Sequence, residues 1–177
     1  NGHIDLMGGP SKFEQHLDSL FEVDSKTTGR QQADITGLIG QYAHGNEPSH
    51  HMAYLYNYVG KAYKTQQRVR QIMQEQYTVL PDGLSGNEDC GQMSSWYVLS
   101  AMGFYSVTPG LDYYTLGTPL FDQINLKLEN GKTFVIKSEK LTDDNFYVQS
   151  VLLNGKSYNN SYILHSDIMN GGELVFK

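Results

Sequence analysis

A single cysteine, Cys90, stands in the 177 residues, so an internal disulfide and a multi-cysteine zinc site are both excluded. Long apolar runs are absent too, and nothing approaches the roughly 20 residues that a membrane-spanning helix needs. Basic residues are few: 13 Lys and Arg against 19 Asp and Glu leave a net charge of −6. That balance argues against a nucleic-acid or anionic-membrane partner. No phosphate-binding loop, dinucleotide fingerprint or nucleophile elbow occurs. The chain opens "NGHIDLMGG" without an initiating methionine or a signal peptide. A processed or truncated product is expected, and the missing leader carries no information about secretion. What the chain does have is aromatic surface chemistry, with 13 tyrosines among many asparagines and 18 glycines. Rings stack on the C–H faces of sugars and amides meet their hydroxyls, a pattern shared with many secreted proteins.

The periodicity changes near residue 110. Before it the pattern is helical. "SKFEQHLDSLF" offers Ser11 as an N-cap and puts Phe13, Leu17, Leu20 and Phe21 on one face. "PSHHMAYLYNYVG" spaces Met52, Leu55, Tyr56 and Val59 helically and stops at Gly60. "KTQQRVRQIMQEQY" aligns Val69, Ile72, Met73 and Tyr77 with Thr65 as a cap, and "CGQMSSWYVLSAMG" carries Met93, Trp96, Tyr97 and Ser100 to a stop at Gly103. "EVDSKTTGRQQADITG" is polar and reads as a loop. After "YSVTPG" the alternation is that of strands. Ile124, Leu126 and Leu128 lead into an Asn130-Gly131 hairpin that sets Leu126 opposite Val135, and Asn154-Gly155 repeats the signal before a last strand in "GGELVFK". The fold class expected is α+β: a helical part over 1–110 and an antiparallel β unit over 111–177.

"GNE" occurs twice, at 45–47 and at 86–88, each before an apolar helix. Asn caps helices and carboxylates suit their first turn, so good helix chemistry used twice is a sufficient reading of either motif alone. Topology favours a site. With one helix between them, the two helices would be parallel and both acidic starts would share a rim. Capping needs neither Asp89 nor the cluster His44, His50 and His51. Asn46, Glu47 and Asp89 offer hard oxygens of the kind calcium takes. Adjacent His50 and His51 diverge by about 100° on a helix, so zinc is not expected; they are candidates for substrate hydroxyls or simply satisfied helix residues. Cys90, next to these carboxylates, is a poor setting for a thiolate nucleophile. Trp96 and Tyr97 inside a helix read as core, and His165 as a surface residue of the β unit.

"GNEPSHH", "TQQRVRQIM", "PDGLSGNEDCGQMSSWYVLSAMGFY" and "TLGTPLF" together resemble the C-terminal part of the α-mannosidases of glycoside hydrolase family 92, from "DLMGG" to the final strands. The resemblance implies a calcium-dependent exo-hydrolase that removes terminal α-linked mannose, with α-1,2 linkages the expected preference, from N-glycans or mannans by inversion. It implies an (α/α)6 toroid joined to a β-sandwich, and secretion, a periplasmic place or cell-envelope attachment in a bacterium. By position in the motif Asp89 matches the general base. Position 87 is Asp in some members, and Asn87 can orient water but cannot act as a base. "GNEPSHH" matches the calcium stretch and nominates Asn46 and Glu47, with Asp89, as ligands. Asn87, Glu88, His50, His51 and Gln92 are expected at the substrate. The family's general acid lies upstream of "DLMGG", so the missing N-terminal part of the polypeptide is the expected partner, alongside a mannose-containing glycan, and this chain alone is expected to be inactive. The rivals are a non-catalytic carbohydrate-binding scaffold on the same fold and a phosphorylase or other glycosidase on the same barrel.

Overall fold

The structure is a computed structural model, described for residues 2–26, 28, 32 and 35–177. A short helix α1 (Gly2–Leu6) leads into α2 (Pro10–Glu22). The first position of α2 is Pro10, whose fixed φ suits N1, and the cap is Gly9. Ser11 therefore lies inside the helix and is not the expected cap. Phe13, Leu17 and Phe21 are buried on one face and Leu20 packs beside them. Of the expected loop at 22–37, residues 27, 29–31, 33 and 34 lie outside those described, and the described positions after Glu22 form neither helix nor strand.

A two-strand ribbon, β1 (Leu38–Ile39) and β2 (Tyr42–Ala43), precedes two 3₁₀ segments, Glu47–Ser49 and Met52–Val59. The expected α-helix after Pro48 is thus wound more tightly. Side chains three apart eclipse in a 3₁₀ helix, and the buried set is Ala53 with Tyr56 and Tyr54 with Asn57. Met52, Leu55 and Val59 are only partly covered. Gly60 ends the segment at φ 73, freeing the next amide, Lys61, to donate to the Tyr56 carbonyl at 2.9 Å.

Helix α3 (Ala62–Glu75) is capped at Lys61, so Thr65 sits buried a turn inside it and is not the cap. Val69, Ile72 and Met73 face the helical core. Helix α4 (Gln92–Ala101) buries Met93, Trp96, Ser100 and Ala101, and Tyr97 is half-covered.

Strands β3 (Phe104–Tyr105), β4 (Tyr113–Leu116) and β9 (Tyr162–Leu164) form one antiparallel sheet. A second sheet runs in the order β5 (Gln123–Lys127), β6 (Thr133–Ser138), β10 (Gly172–Phe176), β7 (Val151–Leu153) and β8 (Lys156–Ser157). Helix α5 (His165–Met169) leads into β10. Among the described residues every strand pairing is antiparallel except one: β10 runs parallel to β6, with Leu174 beside Ile136. The wholly antiparallel unit expected is corrected at that seam.

Register at the first hairpin also differs from expectation. Leu126 faces Phe134, and Val135 faces Asn125. Only Gly131 of the turn has positive φ, at 81°, and its amide bonds the Leu128 carbonyl, so Glu129 is absorbed into a three-residue turn. At the second hairpin both Asn154 (φ 52) and Gly155 (φ 76) are left-handed, which fits the expected two-residue I′ turn, with Leu153 opposite Lys156. Two apolar clusters result. One joins α2, the 52–59 segment, α3 and α4; the other joins Phe134, Ile136, Ile163, Leu174 and Phe176 within the sheets. The molecule is α+β.

Candidate active site

The two "GNE" stretches meet through their glycines. A Cβ on Gly86 would lie 2.5 Å from the Gly45 Cα and 2.6 Å from its carbonyl oxygen, so only hydrogen fits between the two backbones. This contact brings Glu47 and Asp89 together. The hydrogen bond with the Asp89 side chain holds the Glu47 carboxyl below the ordinary carboxylate range, aided by its own backbone amide and opposed by burial. Two carboxyl groups that hydrogen-bond each other share a proton or need a cation in its place.

Asp89 stands on unusual backbone. Asp89, Cys90 and Gly91 have φ of 47°, 57° and 96° in succession, a conformation that costs about 1–2 kcal/mol for a residue with a Cβ. The turn is held from both sides. The Gly91 and Met93 amides donate to the Glu88 carbonyl, at 3.2 and 3.3 Å. The Glu88 carboxylate accepts from the Ser94 hydroxyl at 2.9 Å and from the Ser94 amide at 3.3 Å. Glu88 thereby does the capping at α4, whose N-cap residue is Gly91, and Asn87, expected there, is exposed upstream of the turn. Asn46 occupies the N-cap position of the 47–49 segment, but its side chain makes no capping bond.

The histidines stand behind the pair. His44 is fully buried, with Nδ1 2.8 Å from the Tyr42 hydroxyl and Nε2 2.6 Å from the Tyr77 hydroxyl. Because Tyr77 donates onward to the Met93 carbonyl at 3.1 Å, His44 must carry its proton on Nε2. Burial, with His50 nearby, pushes its pKa down to about 3, so it stays neutral. His50 is buried, donates from Nε2 to the His44 carbonyl at 2.9 Å and accepts from Gln92 at Nδ1 at 3.1 Å. Burial lowers its pKa as well, against its hydrogen bond to His44 and the Glu47 charge. Trp96 closes the set: its indole donates to the His50 carbonyl at 3.0 Å, its ring meets His44 edge-on at 4.5 Å, and it stacks on Tyr77. His50 and Gln92 are therefore bonded to one another under the acid pair. His51 points elsewhere, lining a groove of about 580 Å³ with His3, His16 and apolar side chains.

Of the residues expected at the site, Glu47 and Asp89 are in contact, Asn46 adjoins Glu47, and Glu88 is engaged by Ser94. Sequence reasoning missed Ser94, six residues from its partner with no periodic signal, and Tyr105, whose hydroxyl lies 3.4 Å from the Gln92 amide. Among the described residues no group of three or more His, Cys, Asp or Glu is gathered closely enough to hold a metal ion. The two carboxylates supply oxygen donors of the kind that suits a hard cation and not zinc. Adjacent carboxylates repel without positive charge between them, so the pair fits such an ion.

The profile of the glycosyl hydrolase family 92 catalytic domain matches residues 1–177. A protein described as an uncharacterized secreted glycosidase, from Arthroderma benhamiae, is 31% identical over 174 residues, covering 97% of this chain and 20% of its own length. A GH92 α-mannosidase of Bacteroides thetaiotaomicron, solved in complex with mannoimidazole, superposes with a TM-score of 0.90 at 42% identity, over 95% of this chain and 22% of that one. A second, an inverting GH92 mannosidase of the same organism, gives 0.83 at 39% identity over 98% and 25%. The chain thus spans about a fifth to a quarter of the length of these relatives.

Proposed function

This chain belongs to glycosyl hydrolase family 92, and from that membership we propose that it carries the base side of a site hydrolysing terminal α-linked mannose with inversion. The observation that carries the reading is the Glu47–Asp89 contact. Inverting hydrolysis needs an acid and a base about 6.5–9.5 Å apart, and retaining hydrolysis needs a separation of about 5 Å. A hydrogen-bonded carboxyl pair is too close for either. Glu47 and Asp89 therefore belong to one side of the substrate, and the proton donor comes from a third carboxyl outside this pair. On the resemblance of "DLMGG" and the motifs after it to the family, we propose that this donor lies upstream, and that the 177-residue chain alone leaves α-1,2-mannobiose intact.

In the proposed division of labour, Asp89 accepts the proton of the attacking water. Asn87, exposed just upstream of that turn, orients that water. Glu88 keeps Asp89 in place through Ser94, and Gln92 and His50 brace the floor. Asn46, Glu47 and Asp89 would hold calcium, which when bound supplies charge that keeps both carboxylates ionised and a Lewis-acid grip on sugar hydroxyls. His51 faces the neighbouring groove, where a further sugar hydroxyl can reach it. The helical part over 1–110 is proposed as a portion of an (α/α)6 toroid and 111–177 as the adjoining β unit. Secretion fits the description of the Arthroderma benhamiae relative as secreted, and a periplasmic or envelope place is proposed from the resemblance alone. Among the described residues no helix is long and apolar enough to cross a membrane.

In a longer polypeptide that has mannosidase activity and contains this segment, Asp89→Ala should lower kcat by about 10³-fold or more while the far-ultraviolet circular dichroism is unchanged. A kcat near that of the parent would remove Asp89 from the mechanism.

A further inference from the structure

A second cleft, of about 510 Å³, opens where the C-terminal end of the 52–59 segment meets β4 and β9. Its walls include Asn57, Tyr58, Asp112, Tyr113, Thr115 and Tyr162. At about 2 Å of rise per residue of 3₁₀ helix, Tyr58 lies roughly 14 Å along the segment from His51, and it also lines the far part of the groove that His51 faces.

Three features give this cleft the chemistry of a sugar site. The first is a polar wall residue fixed by its own hydrogen bonds. Asn57 is only 9% exposed; its Nδ2 donates to the Leu116 carbonyl at 2.7 Å and the Ser161 carbonyl at 3.3 Å, while its Oδ1 accepts from nothing. The second is aromatic surface. Tyr113 and Tyr162 stand 5.3 Å apart at 56°, and Tyr58 and Tyr162 are 39% and 38% exposed. The third is a run of hydroxyls. Tyr58 lies 3.2 Å from the Thr115 hydroxyl, and its hydrogen bond to Tyr113 pushes that phenol up to about 12, so Tyr113 stays a donor. Among the described residues no Lys or Arg lines the cleft, and Asp112 is its one charged wall residue. Phosphates and other anions are disfavoured there.

We propose that this tyrosine cleft is a second, non-catalytic binding site for a neutral hexose unit of a glycan. A pyranose would lay its C–H face on the exposed rings and direct hydroxyls to the Tyr58 hydroxyl and the Asp112 carboxylate. The proposal rests on the cleft's own chemistry and stands apart from the role of the acid pair.

The test titrates the 177-residue chain with methyl α-D-mannopyranoside and follows backbone amide shifts by NMR. Saturable shifts are expected at 57–58, 112–115 and 161–162. Tyr162→Ala should weaken binding about tenfold, the loss of roughly 1.4 kcal/mol of ring contact. Tyr162→Phe should retain most of it, and Asp89→Ala should bind as the parent does. Unaltered affinity in Tyr162→Ala, shifts confined to 44–51 and 86–92, or no saturable response in the tens-of-millimolar range would each overturn the proposal. Loss of binding in Asp89→Ala alone would assign the sugar to the acid pair instead.

Discussion

One methyl group placed at Gly86 should take the acid pair apart. The Cβ of Gly86→Ala would meet the Gly45 Cα at 2.5 Å, its oxygen at 2.6 Å and its carbonyl carbon at 3.0 Å, all of them backbone atoms with no side chain to swing aside. Carbon atoms rest at about 3.5–4.0 Å, so the two segments must separate by about 1 Å. Neither Gly45 nor Gly86 is among the glycines with positive φ, so alanine suits both backbones and the penalty is purely steric. Overpacking of this kind costs about 3 kcal/mol at the upper end of its usual range, which for a chain of this size lowers Tm by about 6–12 °C. Gly131→Ala is the control. Gly131 has φ 81° but open space around it, so alanine there incurs only the left-handed penalty of about 1 kcal/mol. Thermal melts of the parent and both variants compare the two costs directly. The site should suffer more than the fold: Glu47 is two residues from Gly45 and Asp89 three from Gly86, and a shift of about 1 Å can cost about 10²-fold in turnover in a competent enzyme. If Gly86→Ala melts no lower than Gly131→Ala, the glycine contact does not hold the pair together.

The buried histidines give a pH signature. His44, held to about 3, and His50, also lowered, are neutral in the fold, whereas the unfolded chain takes up protons near 6.5. Stability should be full above about pH 6.5 and fall as pH drops towards 3, by about 1.4 kcal/mol per pH unit for His44 alone; urea midpoints that stay flat from pH 7 to 4 would contradict this. Trp96→Phe removes the donor to the His50 carbonyl and part of a fully buried ring. It should cost about 2–4 kcal/mol in equilibrium denaturation, and a cost under about 1 kcal/mol would mean that the aromatic wall behind the acid pair is not a support.

Local pattern was enough for the long helices. Phe13, Leu17 and Phe21 in α2, and Val69, Ile72 and Met73 in α3, lie at spacings that only one face of an α-helix can bury, and they are buried. The 52–59 segment misled because the same apolar and aromatic residues satisfy a spacing of three as well as one of 3.6; burial of the 53/56 and 54/57 pairs settles it as 3₁₀. At the two hairpins the difference is one residue's dihedral. Asn154 takes the left-handed conformation and Asn130 does not, and that alone moves Phe134 in place of Val135 opposite Leu126. A one-residue slip exchanges the faces of a strand, which is why Phe134 and Ile136, fully buried, build the sheet core. The parallel seam between β6 and β10 joins residues almost forty positions apart. No local signal encodes such a pairing.

The acid residues meet, but not by the route that helix geometry suggested. Parallel helix starts would have placed Asp89 in the field of an N-terminus with Asn87 as its cap. Instead α4 begins at Gln92 and is capped by the carboxylate of Glu88, while Asp89 sits on a left-handed turn before it. Left-handed φ at both Asp89 and Cys90 costs about 1–2 kcal/mol each, and a capping requirement alone would not maintain it, since an Asp or Ser at the N-cap achieves capping in relaxed backbone. The strain is offset by the bonds that Glu88 makes to Gly91, Met93 and Ser94. Its effect is to turn the Asp89 carboxyl away from the helix and towards Glu47. The second glycine of the repeated motif serves the same end, because only hydrogen at Gly86 lets its backbone approach that of Gly45 closely enough for the carboxyls to touch. Strain and close approach thus converge on one contact, and no capping role accounts for either.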